Sequence, residues 1–141
     1  MKKKVIILLV LICSLFLTGC GRDYTIKSEY RINDIAMIDD LEVKLSFINF
    51  DNDILEVVFD IKNNTNNTYT IGPDSFKMYD INKVAIKNNF SNDNSVIKKG
   101  ETISYTLQYA VERKELYEIY FYSGYVNNNI KFVIDSSDLN Y

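Results

Sequence analysis

Histidine is absent from the 141 residues, tryptophan is absent too, proline occurs once and cysteine twice. Each scarcity excludes a chemistry. Without histidine there is no triad that uses imidazole as general base. Without a Cys/His ligand set there is no zinc site of the usual kind. The two cysteines, Cys13 and Cys20, both sit at the amino-terminal end. If that end is removed or modified, the rest of the chain has neither a disulfide nor a thiol nucleophile. Packing alone must then hold the domain. A long helical period is also missing, so an all-helical fold is not expected.

What is present begins at the amino terminus. Lys2, Lys3 and Lys4 precede an apolar run from Val5 to Leu17, broken only by Cys13 and Ser14. The run is too short to cross a bilayer, which takes about 20 apolar residues. A positive flank, a short apolar stretch and small residues before a cut mark a cleaved export signal. Leu17-Thr18-Gly19-Cys20 ends the segment, and this string resembles the lipobox of bacterial lipoprotein signal peptides. The resemblance implies a diacylglyceryl group on the Cys20 sulfur and cleavage between Gly19 and Cys20. Two acyl chains anchor stably where one anchors marginally. No other cofactor is expected. Residues 1–19 read as the signal helix, 20–29 as a polar tether and 30–141 as one domain. The frequent Asn, Ile and Lys point to an A+T-rich genome, consistent with lipid anchoring on the extracytoplasmic face of a Gram-positive cell membrane.

Loss of residues 1–19 would leave 122 of the 141 residues, enough for one core. Lys+Arg falls from 16 to 13 with the three signal lysines, against 19 Asp+Glu, a net charge of about −6. Phosphate contact needs Lys and Arg in number, so nucleic acid is not an expected partner. The Asn-x-Thr strings at Asn63 and Asn66 would accept glycans only in a eukaryotic secretory route. Here they read as turn residues.

The remaining pattern has period two. Leu41, Val43, Leu45 and Phe47 alternate with polar residues, as do Leu55, Val57, Phe59 and Ile61. Asp51-Asn52-Asp53 and the Asn-rich run 63–68 mark turns. Phe76 and Met78 suggest a short strand, and residues 80–99 hold one or two short edge strands. Ile103, Tyr105, Leu107, Tyr109 and Val111 alternate, residues 116–122 form a further strand, and Ile130, Phe132 and Ile134 mark the last. Residues 112–117 are either one helical turn or a connection. About seven or eight alternating strands at this spacing predict an all-β, immunoglobulin-like antiparallel β-sandwich. The Cys…Trp…Cys signature of true immunoglobulin domains is missing.

Leu55–Asn64 (LEVVFDIKNN), Gly72–Met78 (GPDSFKM), Lys98–Ile103 (KKGETI) and Tyr109-Ala110-Val111 resemble, in order and spacing, segments of a family found on bacterial lipoproteins and called DUF4352. Lys99 stands where that family usually has Pro. The resemblance covers about residues 30–135. It implies an immunoglobulin-like sandwich and an envelope location, and it carries no catalytic motif to transfer.

Candidate sites are few. Tyr117, Tyr120, Tyr122 and Tyr125 crowd one stretch. On a strand Tyr120 and Tyr122 share a face and Tyr117 takes the other. Tyrosines suit binding surfaces, yet they also pack on half-buried sheets. Asp51-Asn52-Asp53 opens like a calcium loop, but Glu56 and Lys62 stand where Gly and Glu are required. A looser site around Asn92-Asp93-Asn94 reads as a solvated turn. Three function classes follow. The first is a non-enzymatic, lipid-anchored module contacting an envelope or extracellular partner. The second is an enzyme or accessory subunit of peptidoglycan or glycan metabolism. The third is an export or stress chaperone or inhibitor that pairs through a sheet edge.

Overall fold

Two tight turns build the first sheet. Strands β1 (Ile35–Ile38), β2 (Leu41–Asp51) and β3 (Ile54–Asn63) are joined by Asp39-Asp40 and Asn52-Asp53. All four linking residues have positive φ, between 47° and 60°. That is the requirement of a two-residue type I′ hairpin, and Asp and Asn meet it with little cost. The computed structural model describes residues 26–88, 93–124 and 128–139. The expected signal helix over residues 1–19, with Gly19, and also Cys20 and Tyr125, lie outside the described residues.

The chain continues through β4 (Tyr69–Ile71), a 3₁₀ turn (Pro73–Ser75), β5 (Phe76–Asp80), β6 (Ala85–Ile86), β7 (Ser95–Ile97), β8 (Thr102–Ala110), β9 (Leu116–Tyr122) and β10 (Asn129–Asp135). One antiparallel sheet has the order β1-β2-β3-β8 and the other β10-β9-β5-β6, with β4 and β7 as a separate ribbon. The expected β-sandwich is thus present, with ten strands among the described residues rather than seven or eight. Several are only two to four residues long, too short to show a period. Residues 112–115 form a connection without a helical turn.

One strand departs from simple alternation. The pairing of β2 with β3 runs from Leu41↔Asn63 to Leu45↔Phe59, slips, and resumes at Phe47↔Val58. This bulge turns Phe47 outward to 47% exposure and brings Ile48 inward at 3%. The expectation that Phe47 joins Leu45 in the core is therefore corrected: one extra residue reverses every later side chain.

Rings fill the space between the sheets. Phe59 from the first sheet meets Phe76 at 4.9 Å and Phe132 at 5.2 Å from the second. Phe76 in turn stacks on Tyr105 at 5.8 Å and touches Phe121 at 5.2 Å. These contacts join the sheets where immunoglobulin domains use a disulfide and a tryptophan. A second pin is polar. Asn63 is fully buried. Its Nδ2 donates to the carbonyls of Asn67 (2.7 Å) and Ile97 (2.9 Å), and its Oδ1 accepts from Thr65 N (2.9 Å). Expected in the turn, it is instead the last residue of β3, and its amide fastens that strand to β7. Gly100 sits at φ 77°, with Glu101 N bonded to Lys98 O at 3.0 Å, which is the glycine position of a type II turn.

Candidate functional site

Strand β9 sorts its tyrosines by face. Tyr117, Ile119 and Phe121 are fully buried between the sheets. Glu118, Tyr120 and Tyr122 alternate with them and point away from the core. Tyr117 is thereby removed from the candidate surface. Its hydroxyl donates to Glu112 O at 2.6 Å and accepts from Lys114 N at 2.9 Å. A tyrosine near a strand start, bonded to backbone a few residues upstream, is the tyrosine corner of immunoglobulin-like folds. It pins the crossing from β8 to β9.

Tyr120 and Tyr122 acquire neighbours from β5. The pairs Lys77↔Tyr120 and Tyr79↔Glu118 align β5 beside β9. Diagonal neighbours on one face of such a pair are within reach of large side chains. Tyr79 accordingly meets Tyr120 edge-to-face, with ring centroids 5.7 Å apart and planes at 88°. The Lys77 ammonium lies 5.0 Å from the centroid of the Tyr122 ring, a cation–π distance. On the other side, β10 places Lys131 opposite Tyr120.

The floor of this face is Glu118, whose side chain is only 8% exposed. One oxygen receives Lys83 Nζ at 2.5 Å and the Tyr120 hydroxyl at 3.3 Å; the other faces Lys131 Nζ at 3.7 Å. Lys83 reaches it from the β5–β6 turn. There the Asp80 carboxylate accepts from Asn82 N and Val84 N, each at 2.9 Å, and Lys83 itself adopts φ 63°. The Lys83 hydrogen bond holds the Glu118 carboxyl below its usual range against the cost of burial, with Lys131 adding to the effect. Burial and the adjoining Glu118 charge push the Tyr120 phenol up, so it stays a neutral donor at neutral pH. Lys131 also pairs with Glu29 at 3.3 Å.

Tyr79, Lys83, Glu118, Tyr120 and Tyr122 line an open groove of about 230 Å³. The structure thus unites Tyr120 and Tyr122, sets Tyr117 apart, and adds Lys77, Tyr79, Lys83 and Glu118, which sequence reasoning does not single out. An available signal is the outward phase of Lys77 and Tyr79, set by inward Phe76 and Met78. That β5 lies beside β9 has no signal in the pattern. Among the described residues no three acidic side chains gather as a metal-ligand set; Asn92 of the looser calcium candidate lies outside them.

No known family model matches the chain, and no curated protein does. Solved structures do. The likeness is one of fold. The yjhA protein of Bacillus subtilis aligns with a TM-score of 0.64 at 12% identity, over 75% of this chain and 99% of its own. The "putative lipoprotein" ycdA of the same species aligns at 0.62 and 17% identity, over 74% of this chain and 39% of its own length. MPT63, a secreted protein of Mycobacterium tuberculosis, aligns at 0.56 and 10% identity, over 80% of this chain and 98% of its own.

Proposed function

We propose that this chain is a lipid-anchored, non-enzymatic recognition module of the DUF4352 kind on the extracytoplasmic face of the membrane. Its binding surface is the outer face of the β10-β9-β5-β6 sheet. The observation that carries the reading is the groove in which Tyr79, Tyr120 and Tyr122 surround Glu118. Three rings kept at the surface of a sheet offer large contact area with little side-chain entropy to lose. The lipobox at Leu17–Cys20 supports the address, as does the fold likeness to a secreted protein and to ycdA. The type II turn at Lys98–Glu101 fits the Pro-Gly-Glu-Thr turn of the family.

The first described residues lie beside the second sheet. Tyr30 bridges to the outer edge of β10, and Lys27 pairs with Asp34 at 2.8 Å. Cys20 and Lys27 are seven residues apart, a reach of at most about 25 Å. The lipid then supplies local concentration and the sheet supplies specificity. Crosslinking in intact cells with mass spectrometry tests the surface: the Tyr120→Ala, Tyr122→Ala double variant should lose the partner that the parent captures. Unchanged capture would sink it. For the address, Cys20→Ser should release the protein or leave its precursor uncut, and normal maturation with full membrane retention would refute the anchor.

A second reading has one observation behind it. β8 pairs with β3, carries no charged side chain from Thr102 to Ala110, and ends the sheet order among the described residues. Natural edges are usually blunted by charge, so an uncharged edge favours strand addition by a client. Lysines placed at Thr102 and Ala110 should then weaken client capture, and a client held equally well would retire this reading.

A further inference from the structure

We infer that the groove on the second sheet binds an anionic glycan, with sugar rings against Tyr79, Tyr120 and Tyr122 and an acidic substituent at Lys77 and Lys83. The inference rests on the recognition reading above and names its ligand class. Charge is the first argument. The domain is acidic, yet three lysines, Lys77, Lys83 and Lys131, border this one groove. Lys83 and Lys131 share Glu118, and Lys131 also reaches Glu29. Lys77 makes no ion pair among the described residues and rests on the Tyr122 ring. A cationic ligand would have to displace Lys83 from Glu118. An anionic one meets ammonium groups with donors to spare.

Size and composition separate a glycan from a protein partner. At about 230 Å³ the groove is smaller than the roughly 300–1,000 Å³ cavities that enclose whole small molecules. It suits one unit of a polymer lying across the sheet. Protein interfaces centre on apolar anchors and are depleted in Lys and Glu. Here no aliphatic side chain lines the groove, while Lys83 and Glu118 lie in it. A sugar matches both halves of this surface. Its C–H faces lie on tyrosine rings, and its hydroxyls donate to Glu118, which is held ionised at neutral pH.

The test uses the full-length protein in detergent micelles and titration calorimetry. The probes are a hyaluronan octasaccharide, pentamannosyl phosphate, neutral chitohexaose and poly-L-glutamate. At least one of the two acidic sugars should bind tenfold or more tighter than both chitohexaose and poly-L-glutamate. Tyr122→Ala and Lys77→Ala should each weaken that binding about tenfold with an unchanged melting temperature, and added salt should weaken it further. If neither acidic sugar binds, or if chitohexaose or poly-L-glutamate binds equally well, the inference is overturned. Loss of a crosslinked cell protein in the Tyr120→Ala, Tyr122→Ala variant, without acidic-sugar binding by the parent, would defeat the glycan and keep the recognition reading. Failure of both experiments would defeat both.

Discussion

The two outer faces of the sandwich are built from similar numbers of charged residues and behave differently. On the first sheet the charges pair across strands. Lys44 meets Asp60 at 3.3 Å, Lys62 meets Glu42 at 3.8 Å, Ser104 Oγ donates to Asp60 at 2.7 Å, and Gln108 Nε2 donates to Glu56 at 2.5 Å. Each carboxylate there has a partner directly opposite in the register. On the second sheet three tyrosine rings stand on the outer face, and two lysines converge on one carboxylate, Glu118. The charges of the first face satisfy one another, although Phe47 stands exposed among them. The second leaves flat rings and the Lys77 ammonium open to a ligand. The rings held among lysines are what mark the second face as the one proposed for recognition.

Four outcomes would break or sharpen that contrast. The largest effect belongs to a ring on neither outer face. Tyr117→Ala should cost about 3–5 kcal/mol by opening the core, and Tyr117→Phe about 1–2 kcal/mol by removing the hydroxyl from Glu112 O, both read by urea denaturation. Next, Tyr120→Ala with Tyr122→Ala should abolish partner capture while changing stability by about 1 kcal/mol or less. The control pair Lys44→Ala with Asp60→Ala should leave capture intact. Equal losses from both faces would end the distinction.

Acid should strike through carboxylates on both faces. The Lys83 hydrogen bond lowers Glu118, while Asp60 is raised by burial but lowered more by Ser104 and Lys44. A carboxyl lowered in the folded state contributes stability above its unfolded pKa, and that contribution is lost as pH falls through the folded value. The unfolded references are 4.5 for Glu118 and 3.8 for Asp60. Stability should thus decline as pH drops below about 4.5, with Glu118→Gln flattening the upper part of the curve and Asp60→Asn the lower part; identical curves for parent and variants would refute the assignment. The smallest effect is the Lys44–Asp60 pair itself. A double-mutant cycle should give about 0.2–1 kcal/mol, fading as salt is added. A larger, salt-resistant coupling would mean that the first face is more than solvated surface.

Much of the fold and part of the groove are legible in the order of residues alone. Alternation separates Tyr117 from Tyr120 and Tyr122, because successive strand residues must face opposite ways. Asn52-Asp53 announces a turn, because few residues accept positive φ. The bulge is not legible: Phe47 continues the apolar alternation, and only pairing with β3 shows that the register slips. Asn63 reads as turn material, since a side chain that bonds distant carbonyls looks no different in sequence from a solvated one. Tyr79 gives no sign of belonging with Tyr120, because about 40 residues of chain separate them.

Sequence by itself determined the lysine-flanked apolar run that ends at Leu17-Thr18-Gly19-Cys20, the period-two strands, and a stretch beyond Cys20 with no cysteine for a disulfide. These are local properties, set by residue type and spacing. Tertiary structure decided that β5 lies beside β9, that Asp80 turns Lys83 onto Glu118, and that Tyr79, Tyr120 and Tyr122 share a groove. The reason is physical: a side-chain pattern says which face a residue takes, and only strand pairing says which residues become its neighbours.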